Sequence, residues 1–415
     1  MSKIKIKNFG PIKKGYQDDD GWMDVKKVTV FIGNQGSGKS TVAKLISSFS
    51  WIEKALTRGD YDIKWFIRKN KFRNTYCSYH RIENYFFDIH GNDIAELEYV
   101  GSSYAMKYVN GNLSIDKNHE AKYSLPQIMY VPAERNFIST VKSPKLLKLT
   151  SDSLVEFLAE FDNAKNEIKG VLNLPINNTI IEYDKLNDII NIKGNDYKVR
   201  LTEASSGFQS VVPLYLVSWY LTNLVKLHAE SNNEPMSSDE LDRFKKGVAG
   251  IWSNESLTDD QKRAALSVLS SKFNKTAFLN IVEEPEQNLF PSSQRQVLNS
   301  LLEFNNLNPM NCLIVTTHSP YMINYLTLAI KSEQLSNNIN KPHTTEITNR
   351  LEDVVPLGSH LRADNCIIYE LHNNGSISRL DTYQGLPSDE NELNQKMAET
   401  NELFASLLEI EDQRQ

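Results

Sequence analysis

The sequence predicts an α/β fold with a mixed central sheet, an antiparallel β-subdomain and a helical insertion. The hydrophobic strand Val28 to Ile32 runs into a glycine-rich loop and then a helix from Lys39 onward. Two more apolar runs, Ala277 to Val282 and Asn311 to Thr316, have the continuous hydrophobicity of buried parallel strands. Between Tyr61 and Tyr108, short segments rich in aromatic and β-branched residues alternate with glycines, which favours antiparallel hairpins.

The other elements follow from the same periodicities. Further strands are predicted at Ile4–Lys7, within 126–139, at Thr179–Tyr183, at Ile189–Asn195 and at Cys366–Tyr369. Further helices are predicted at Ser153–Phe161, Val211–His228, Gln261–Phe273, Ser292–Phe304 and Glu390–Leu408. The polar stretch Glu230 to Glu240, between two of these helices, is the predicted insertion.

These elements divide the chain into four predicted segments. Residues 1–140 form a first lobe, which contains the glycine-rich loop and the β-rich subdomain. Residues 141–200 form an arm of helix and strand, and residues 201–330 form a second lobe with the two buried strands. Residues 331–415 form a C-terminal extension.

Composition excludes several classes of protein. With 415 residues, of which 40% are hydrophobic and 24% charged, the chain can bury a large core. Its net charge of −6 argues against a protein that coats nucleic acid over its whole surface. Cys77, Cys312 and Cys366 are far apart and form no CxxC pair, which indicates a reducing compartment, the cytoplasm. The apolar runs are too short or too interrupted to cross a membrane.

The stretch Gly33 to Thr41 matches the phosphate-binding motif GxxxxGK[ST], between a strand and a helix as the motif requires. Its glycines let backbone N–H groups and the helix N-terminus face phosphates. Lys39 is predicted to reach the β- and γ-phosphates, and Ser40 to ligate Mg²⁺. The predicted cofactors are thus ATP and Mg²⁺, held by Gly33, Asn34, Gly36, Ser37, Gly38, Lys39, Ser40 and Thr41.

A second motif, Phe278 to Pro291, is a buried strand that ends in adjacent carboxylates. Such an end can direct one side chain to the metal, directly or through water, and its neighbour to the attacking water. We expect Glu283 to serve the metal and Glu284 to be the general base. His318, after the next buried strand, could contact the γ-phosphate and assist catalysis.

A third motif, Thr202 to Gln209, offers Ser205, Ser206, Gly207 and Gln209 near the start of a helix. Serine and glycine at a helix N-terminus form a phosphate cradle. Because the first motif already occupies one side of the triphosphate, the second cradle is useful only from a different subunit. The sequence therefore predicts composite ATP sites in a homodimer or a higher homo-oligomer.

The order of these motifs resembles that of ABC ATPases of the RecF/SMC-like branch. Within it, the start Ile6 to Ile12 and the Pro132 to Arg135 loop resemble the OLD-like AAA ATPases of bacterial anti-phage systems. The resemblance covers about residues 1–330 discontinuously. It implies an ABC ATPase head that hydrolyses ATP, with Gln127 or a nearby residue as its Q-loop. For Arg135, it leaves open a nucleotide or interface role and a structural ion pair.

Two departures from that branch narrow the expected function. The chain is too short between Gly33 and Ser205 for long coiled-coil arms, and it has neither a TOPRIM acidic set nor an HNH cluster. This combination resembles the ATPase subunits of two-gene defence systems, Septu (PtuA-like) or PARIS (AriA-like). The implied partner is a separately encoded effector, a nuclease of HNH or TOPRIM type or a toxin. Two alternatives remain: a RecF-like DNA repair or recombination ATPase, and a scaffold that binds ATP without hydrolysing it.

The stretch Lys64 to Arg81 is cationic, contains no acid and is interleaved with aromatic residues. Cations neutralise backbone phosphates and aromatic faces stack on bases, so this stretch is the candidate nucleic-acid contact. The alternative is a half-buried β-subdomain whose charged side faces water.

Overall fold

The motif-bearing strands lie together in one seven-stranded sheet. A computed structural model describes residues 2–118, 125–141, 149–231, 238–259, 261–263, 265–266, 269, 276–337 and 344–412 of the chain. Its central sheet contains, in spatial order, Gly15–Tyr16 (β2), Ser376–Arg379 (β16), Cys366–Leu371 (β15), Val28–Gly33 (β4), Cys312–Thr316 (β14), Ala277–Glu283 (β13) and Pro126–Val131 (β8). The strands from β15 to β8 are parallel, and β16 is antiparallel to β15. The predicted mixed α/β fold is confirmed.

Helices cover both faces of this sheet. The helices in the described part of the chain are Lys39–Arg58 (α1), Ile63–Phe66 (α2), Phe137–Thr140 (α3), Asp152–Asn166 (α4), Ser206–Ser231 (α5), Ser238–Ser253 (α6), Pro291–Asn306 (α7), Pro320–Asn337 (α8), Thr344–Val354 (α9) and Glu392–Asp412 (α10). None of the helices in the described part of the chain combines the length and apolar character that crossing a bilayer requires. The predicted insertion 230–240 lies largely outside the described residues, as does much of the predicted helix 261–273.

Alternation of side chains along β4 builds two separate cores. Val30 and Ile32 pack on one face of the sheet, against a cluster that includes residues of α4, α5, α7 and α8. Phe31, between them, packs on the opposite face against α1, where Val42 and Phe49 are buried. Because successive side chains of a strand point to opposite faces, one short apolar strand supports both layers.

The predicted antiparallel subdomain is present but begins later than expected. Its five strands, in spatial order, are Met23–Val25 (β3), Ser2–Lys7 (β1), Glu96–Val100 (β5), Tyr104–Val109 (β6) and Asn112–Lys117 (β7). Of the hairpins predicted before residue 96, the turn at 86–93 is present, with an antiparallel bridge between Phe87 and Asp93. The hairpins predicted before it are wrong, because that part of the chain forms α2 and a π-helical turn at Phe72–Cys77. Its aromatic side chains pack on α1: Phe72 stacks on Phe49, with ring centroids 5.1 Å apart.

The arm before the second lobe contains α4 and a four-stranded antiparallel sheet. Its strands are Val171–Asn173 (β9), Ile180–Asp184 (β10), Ile189–Lys193 (β11) and Lys198–Arg200 (β12). A hairpin of Thr382–Tyr383 (β17) and Leu386–Pro387 (β18) follows the central sheet. The division into lobes, arm and extension stays a prediction, but β15, from the predicted extension, pairs with β4 inside the central sheet.

Candidate phosphate-binding site

The predicted catalytic residues meet at one edge of the central sheet. The parallel strands β4, β14 and β13 all end there, and their ends carry Gly33, Thr316 and Glu283. The carboxyl ends of parallel strands are where open α/β sheets form their binding crevices. The loop Asn34–Gly36 is exposed at this edge, whereas Lys39 behind it is buried.

The loop after β4 requires glycine at two positions for steric reasons. Gly33 has φ 136°, and a Cβ there would lie 2.3 Å from the carbonyl oxygen of Leu371. Gly38 has φ 105°, and a Cβ there would lie 2.9 Å from Cγ1 of Ile12. Other residues rarely adopt these backbone angles, so the path of the loop into α1 depends on both glycines.

Lys39 is held inside this loop. Its Nζ donates hydrogen bonds to the carbonyl oxygens of Gly33, at 2.9 Å, and Asn34, at 2.7 Å. Burial lowers the pKa of Lys39 to about 8, although the carboxylates of Glu284, Glu286 and Glu392 oppose that shift. A desolvated ammonium whose acceptors are neutral carbonyls should bind an anion favourably, because the anion is a stronger acceptor.

His318 connects Lys39 to Glu284. Its Nδ1 lies 3.3 Å from Nζ of Lys39, and its Nε2 lies 3.2 Å from Oε1 of Glu284. An ammonium can only donate, so Nδ1 accepts and Nε2 carries the proton that is donated to Glu284. This hydrogen bond is the main reason why the pKa of Glu284 is lowered, and it keeps that carboxylate ionised.

The backbone of Glu284 is unusual. Its φ is +44°, in the left-handed region that side-chain-bearing residues seldom occupy. Its N–H donates to the carbonyl of Thr316 at 2.9 Å, and its own carbonyl accepts from Arg135 at 2.6 Å. Hydrogen bonds to the peptide units on both sides of its Cα therefore hold this conformation, in which the carboxylate contacts His318.

Glu283 is buried beside this group. Tyr130 donates to its Oε1 at 2.5 Å, and the backbone N–H of Ala133 donates to its Oε2 at 3.1 Å. A carboxylate has about four acceptor positions, so two remain for a metal-bound water. Within the described ranges, no group of three or more His, Cys, Asp or Glu side chains could hold a metal ion by itself. Mg²⁺ does not need such a group, since it usually keeps several waters.

Tyr130 and Glu286 are site residues that sequence reasoning missed. Oε1 of Glu286 accepts from Oγ1 of Thr317 and from the backbone N–H of His318, both at 2.7 Å. Burial raises the pKa of Glu286. The third acid of Glu283-Glu-Pro-Glu286 was a usable signal for it. Tyr130 had no comparable signal, because its contact with Glu283 depends on the pairing of β8 with β13.

The third motif, Thr202 to Gln209, packs beside the segment that follows Glu284. Helix α5 begins at Ser206, earlier than the predicted Val211, with Ser205 and Ser206 exposed. Gly207 lies against the backbone of Asn288, and the side chain of Gln209 donates to the carbonyl of Thr202 at 3.3 Å. These contacts hold Ser205 to Gln209 beside the segment that follows Glu284, with the two serines turned to the surface.

The cationic stretch Lys64 to Arg81 forms helical turns rather than a sheet. Phe66 and Phe72 are buried, and the cations of Arg68 and Lys71 each lie 4.4 Å from the centroid of Trp65. Several of its aromatic rings are thus used inside the fold, whereas Lys64, Arg68 and Lys69 are exposed. The predicted Q-loop residue, Gln127, lies in β8 and pairs with Phe278.

No protein-family model matches the chain, and no curated protein matches its sequence. Similar solved structures include the SMC head domain from Thermotoga maritima, with 11% identity over 92% of this chain and 98% of that chain and a TM-score of 0.37. The Smc head domain with an extended coiled coil bound to the C-terminal domain of ScpA, from Pyrococcus furiosus, has 13% identity over 97% and 100% and a TM-score of 0.37. The ATP-binding cassette MJ0796, in a post-hydrolysis state bound to ADP and Pi, has 10% identity over 92% and 100% and a TM-score of 0.25. The mixed α/β architecture itself rests on the strand pairing described above.

Proposed function

We propose that the chain binds ATP with Mg²⁺ and hydrolyses it to ADP and phosphate. The observation that carries the proposal is the contact series from Lys39 through His318 to Glu284 at the edge of the central sheet. It joins a phosphate-binding lysine to a carboxylate that is ionised and oriented. A site that only bound phosphate would need the lysine but not the oriented carboxylate.

The loop Gly33 to Thr41 would hold the triphosphate. Its exposed backbone and the N-terminus of α1 favour anions, and Lys39 would exchange carbonyl acceptors for phosphate oxygens, which are stronger acceptors. Mg²⁺, bound by Ser40 and through water by Glu283, would neutralise charge on the β- and γ-phosphate oxygens. The hydrogen bonds from Tyr130 and Ala133 would keep Glu283 in place for that role.

Glu284 would act on the water. Its carboxylate would orient the water and accept a proton as the water oxygen bonds to the γ-phosphorus and the bond to the β-phosphate oxygen breaks. His318 would hold Glu284 through Nε2, and its Nδ1, once its hydrogen bond with Lys39 opens and it takes up a proton, could donate to the γ-phosphate.

We further propose that a second copy completes each site. Ser205 and Ser206 are exposed at the start of α5, where they can face another molecule. The segment Ser205 to Gln209 would then contact the ATP held by Lys39 of that molecule, which makes the active form a homodimer or a higher homo-oligomer.

The nucleotide state would control a separately encoded effector, a nuclease or toxin, in anti-phage defence. The sequence resemblance supports this, and so does α10, a helix without a buried residue whose side chains Leu403 and Leu407 are 68% and 62% exposed. Glu392, at the start of α10, is close enough to Lys39 to influence its pKa. The helix therefore extends from the nucleotide site to a surface that a partner can cover.

Replacing Glu284 by glutamine tests hydrolysis. Because glutamine keeps the shape but cannot accept the proton, steady-state phosphate release should fall about 100-fold or more. Binding of ATP should be retained in Glu284→Gln and lost in Lys39→Ala, and Glu352→Gln, an exposed acid on α9, is the matched control. Equal phosphate release from wild type and Glu284→Gln would favour the scaffold that binds ATP without hydrolysis.

The RecF-like alternative makes a separate prediction for the same protein. A repair ATPase would bind DNA in an ATP-dependent manner, and its affinity would fall steeply with salt because cations such as Lys64 and Lys69 would displace counterions. DNA binding that is absent or insensitive to salt counts against that alternative, whereas a stable complex with a neighbouring gene product supports control of an effector.

A further inference from the structure

Arg135 is fully buried, and its guanidinium group donates to four backbone carbonyls. Its Nη1 reaches the carbonyls of Glu283, at 2.6 Å, and Pro132, at 3.2 Å. Its Nη2 donates to Glu284 at 2.6 Å, and its Nε donates to Ser210 at 3.2 Å. These acceptors belong to three segments: its own loop, the end of β13 and the first turns of α5. The ion pair considered from the sequence is not what holds this side chain.

Burying the guanidinium group of Arg135 among neutral carbonyls costs free energy. Burial lowers the pKa of Arg135 to about 10, and only the nearby charges of Glu286, Glu283 and Glu284 oppose that shift. Carbonyl oxygens compensate a buried charge less well than a bonded carboxylate does. The planar fork of arginine, however, reaches acceptors on different segments at fixed distances. Holding three segments in position therefore explains this buried arginine better than a contribution to the stability of the fold does.

The first turns of α5 need an outside partner. Pro213 has no N–H, so the carbonyl of Gln209 loses its normal partner within the helix. Oγ of Ser139 donates to that carbonyl at 2.9 Å, and Arg135 donates to the next one, on Ser210. The segment 133–140 thus holds the start of α5, which carries Ser206 and Gly207 on its first turn.

We propose that Arg135 is a positioning residue that couples the two ATP sites of the dimer, an inference that rests on the proposed function. In one chain, Glu284 serves the ATP bound by that chain, whereas the start of α5 serves the ATP bound by the second copy. Arg135 bonds to both, so movement of α5 when the second site fills shifts Glu284 in the first. ATP hydrolysis is therefore cooperative, and the cooperativity passes through this side chain.

The test compares wild type with Arg135→Lys, and uses Arg200→Lys, at an exposed arginine, as the matched control. Lysine keeps the charge but cannot bond four carbonyls on three segments. We expect ATP binding to be unchanged, kcat to fall about 100-fold because Glu284 is misplaced, and the Hill coefficient, above 1 in wild type, to fall to about 1. Without nucleotide, amide hydrogen exchange should rise in both 206–212 and 284–288.

Several results would overturn the inference. These are a wild-type Hill coefficient of 1, a Hill coefficient that Arg135→Lys leaves unchanged, and increased exchange confined to one of the two segments. If Arg135→Lys fails to fold, Ser139→Ala, which weakens only the hold on α5, replaces it, and a Hill coefficient that Ser139→Ala leaves unchanged would then overturn the inference. A folded Arg135→Lys that has lost ATP binding would mean that the role is structural rather than coupling. Failure of wild type to bind or hydrolyse ATP would instead refute the proposed function.

Discussion

At the scale of single residues, the site combines a buried charge, a strained backbone and a histidine that contacts both residues. The ammonium of Lys39 is buried among carbonyls, Glu284 has a strained backbone, and His318 bonds to both. The burial of the Lys39 ammonium has a cost that a bound anion could reduce, since a phosphate would supply Lys39 with strong acceptors. The unliganded site is therefore expected to be less stable than the same fold with neutral residues.

Replacing Lys39 by methionine tests that expectation through pH. The pKa of Lys39 is about 8 in the folded chain and about 10.4 when unfolded. Below pH 8 both states carry the charge and the folded state bears its burial cost, whereas above 10.4 neither state does. The free energy of unfolding of wild type should therefore rise relative to Lys39→Met by about 3 kcal/mol over this interval.

Urea unfolding at pH 7.5 and pH 10.5 measures the effect. Lys331→Met, at an exposed lysine, is the control and should show no comparable change. A difference between wild type and Lys39→Met that stays constant over this pH interval would mean that the pKa of Lys39 is close to its ordinary value.

Site residues could be predicted from the sequence where the whole motif lies in one continuous segment. The spacing from Gly33 to Thr41 and the strand ends at Glu284 and His318 need no knowledge of distant contacts. Tyr130 and Arg135 are different, because their roles arise from the alignment of β8 and its following loop with β13 and α5. A single sequence does not encode such register in any local pattern.

At the scale of elements, the same contrast between local sequence patterns and contacts between distant segments explains which elements were predicted wrongly. The region 63–79 has strand-like composition, yet it folds as helical turns because its rings find partners on α1: Tyr76 packs on Trp51, with centroids 5.4 Å apart. Tertiary packing overrode local propensity there. By contrast, β4, β13 and β14 are buried on both faces, so their continuous apolar runs were sufficient to place them.

Helix α5 gives the element-scale prediction. Ser139 compensates for the N–H that Pro213 lacks, so Ser139→Ala should cost about 1 kcal/mol in the free energy of unfolding. Pro213→Ala restores a donor for the carbonyl of Gln209, and in that background Ser139→Ala should cost close to nothing. A double-mutant cycle of urea unfolding measures the coupling. Equal costs in both backgrounds would show that Ser139 does not replace the missing bond.

At the scale of the whole molecule, the exposed serines at the start of α5 and the helix α10 are the outward-facing features on which the proposed partners depend. The α10 segment contains six acidic residues and one lysine, a net charge of −5, in a chain whose total is −6. Its exposed apolar residues include Leu403, Phe404, Leu407 and Leu408. A second α10 would repel this helix, so an apolar groove with a basic rim on the proposed effector is the surface that would fit it.

Ending the chain after Lys396 tests this assignment while retaining Glu392, whose backbone N–H bonds to Glu370 at 2.7 Å. Because α10 has no buried residue, the truncated protein should keep the melting temperature and the phosphate release of the full chain. It should lose the complex that the full chain is proposed to form with a separately encoded effector, and the complex of the full chain should weaken as salt rises. Co-purification and differential scanning calorimetry measure the two effects. A lower melting temperature would mean that α10 packs on the body of the protein, and an intact complex would mean that the effector binds elsewhere.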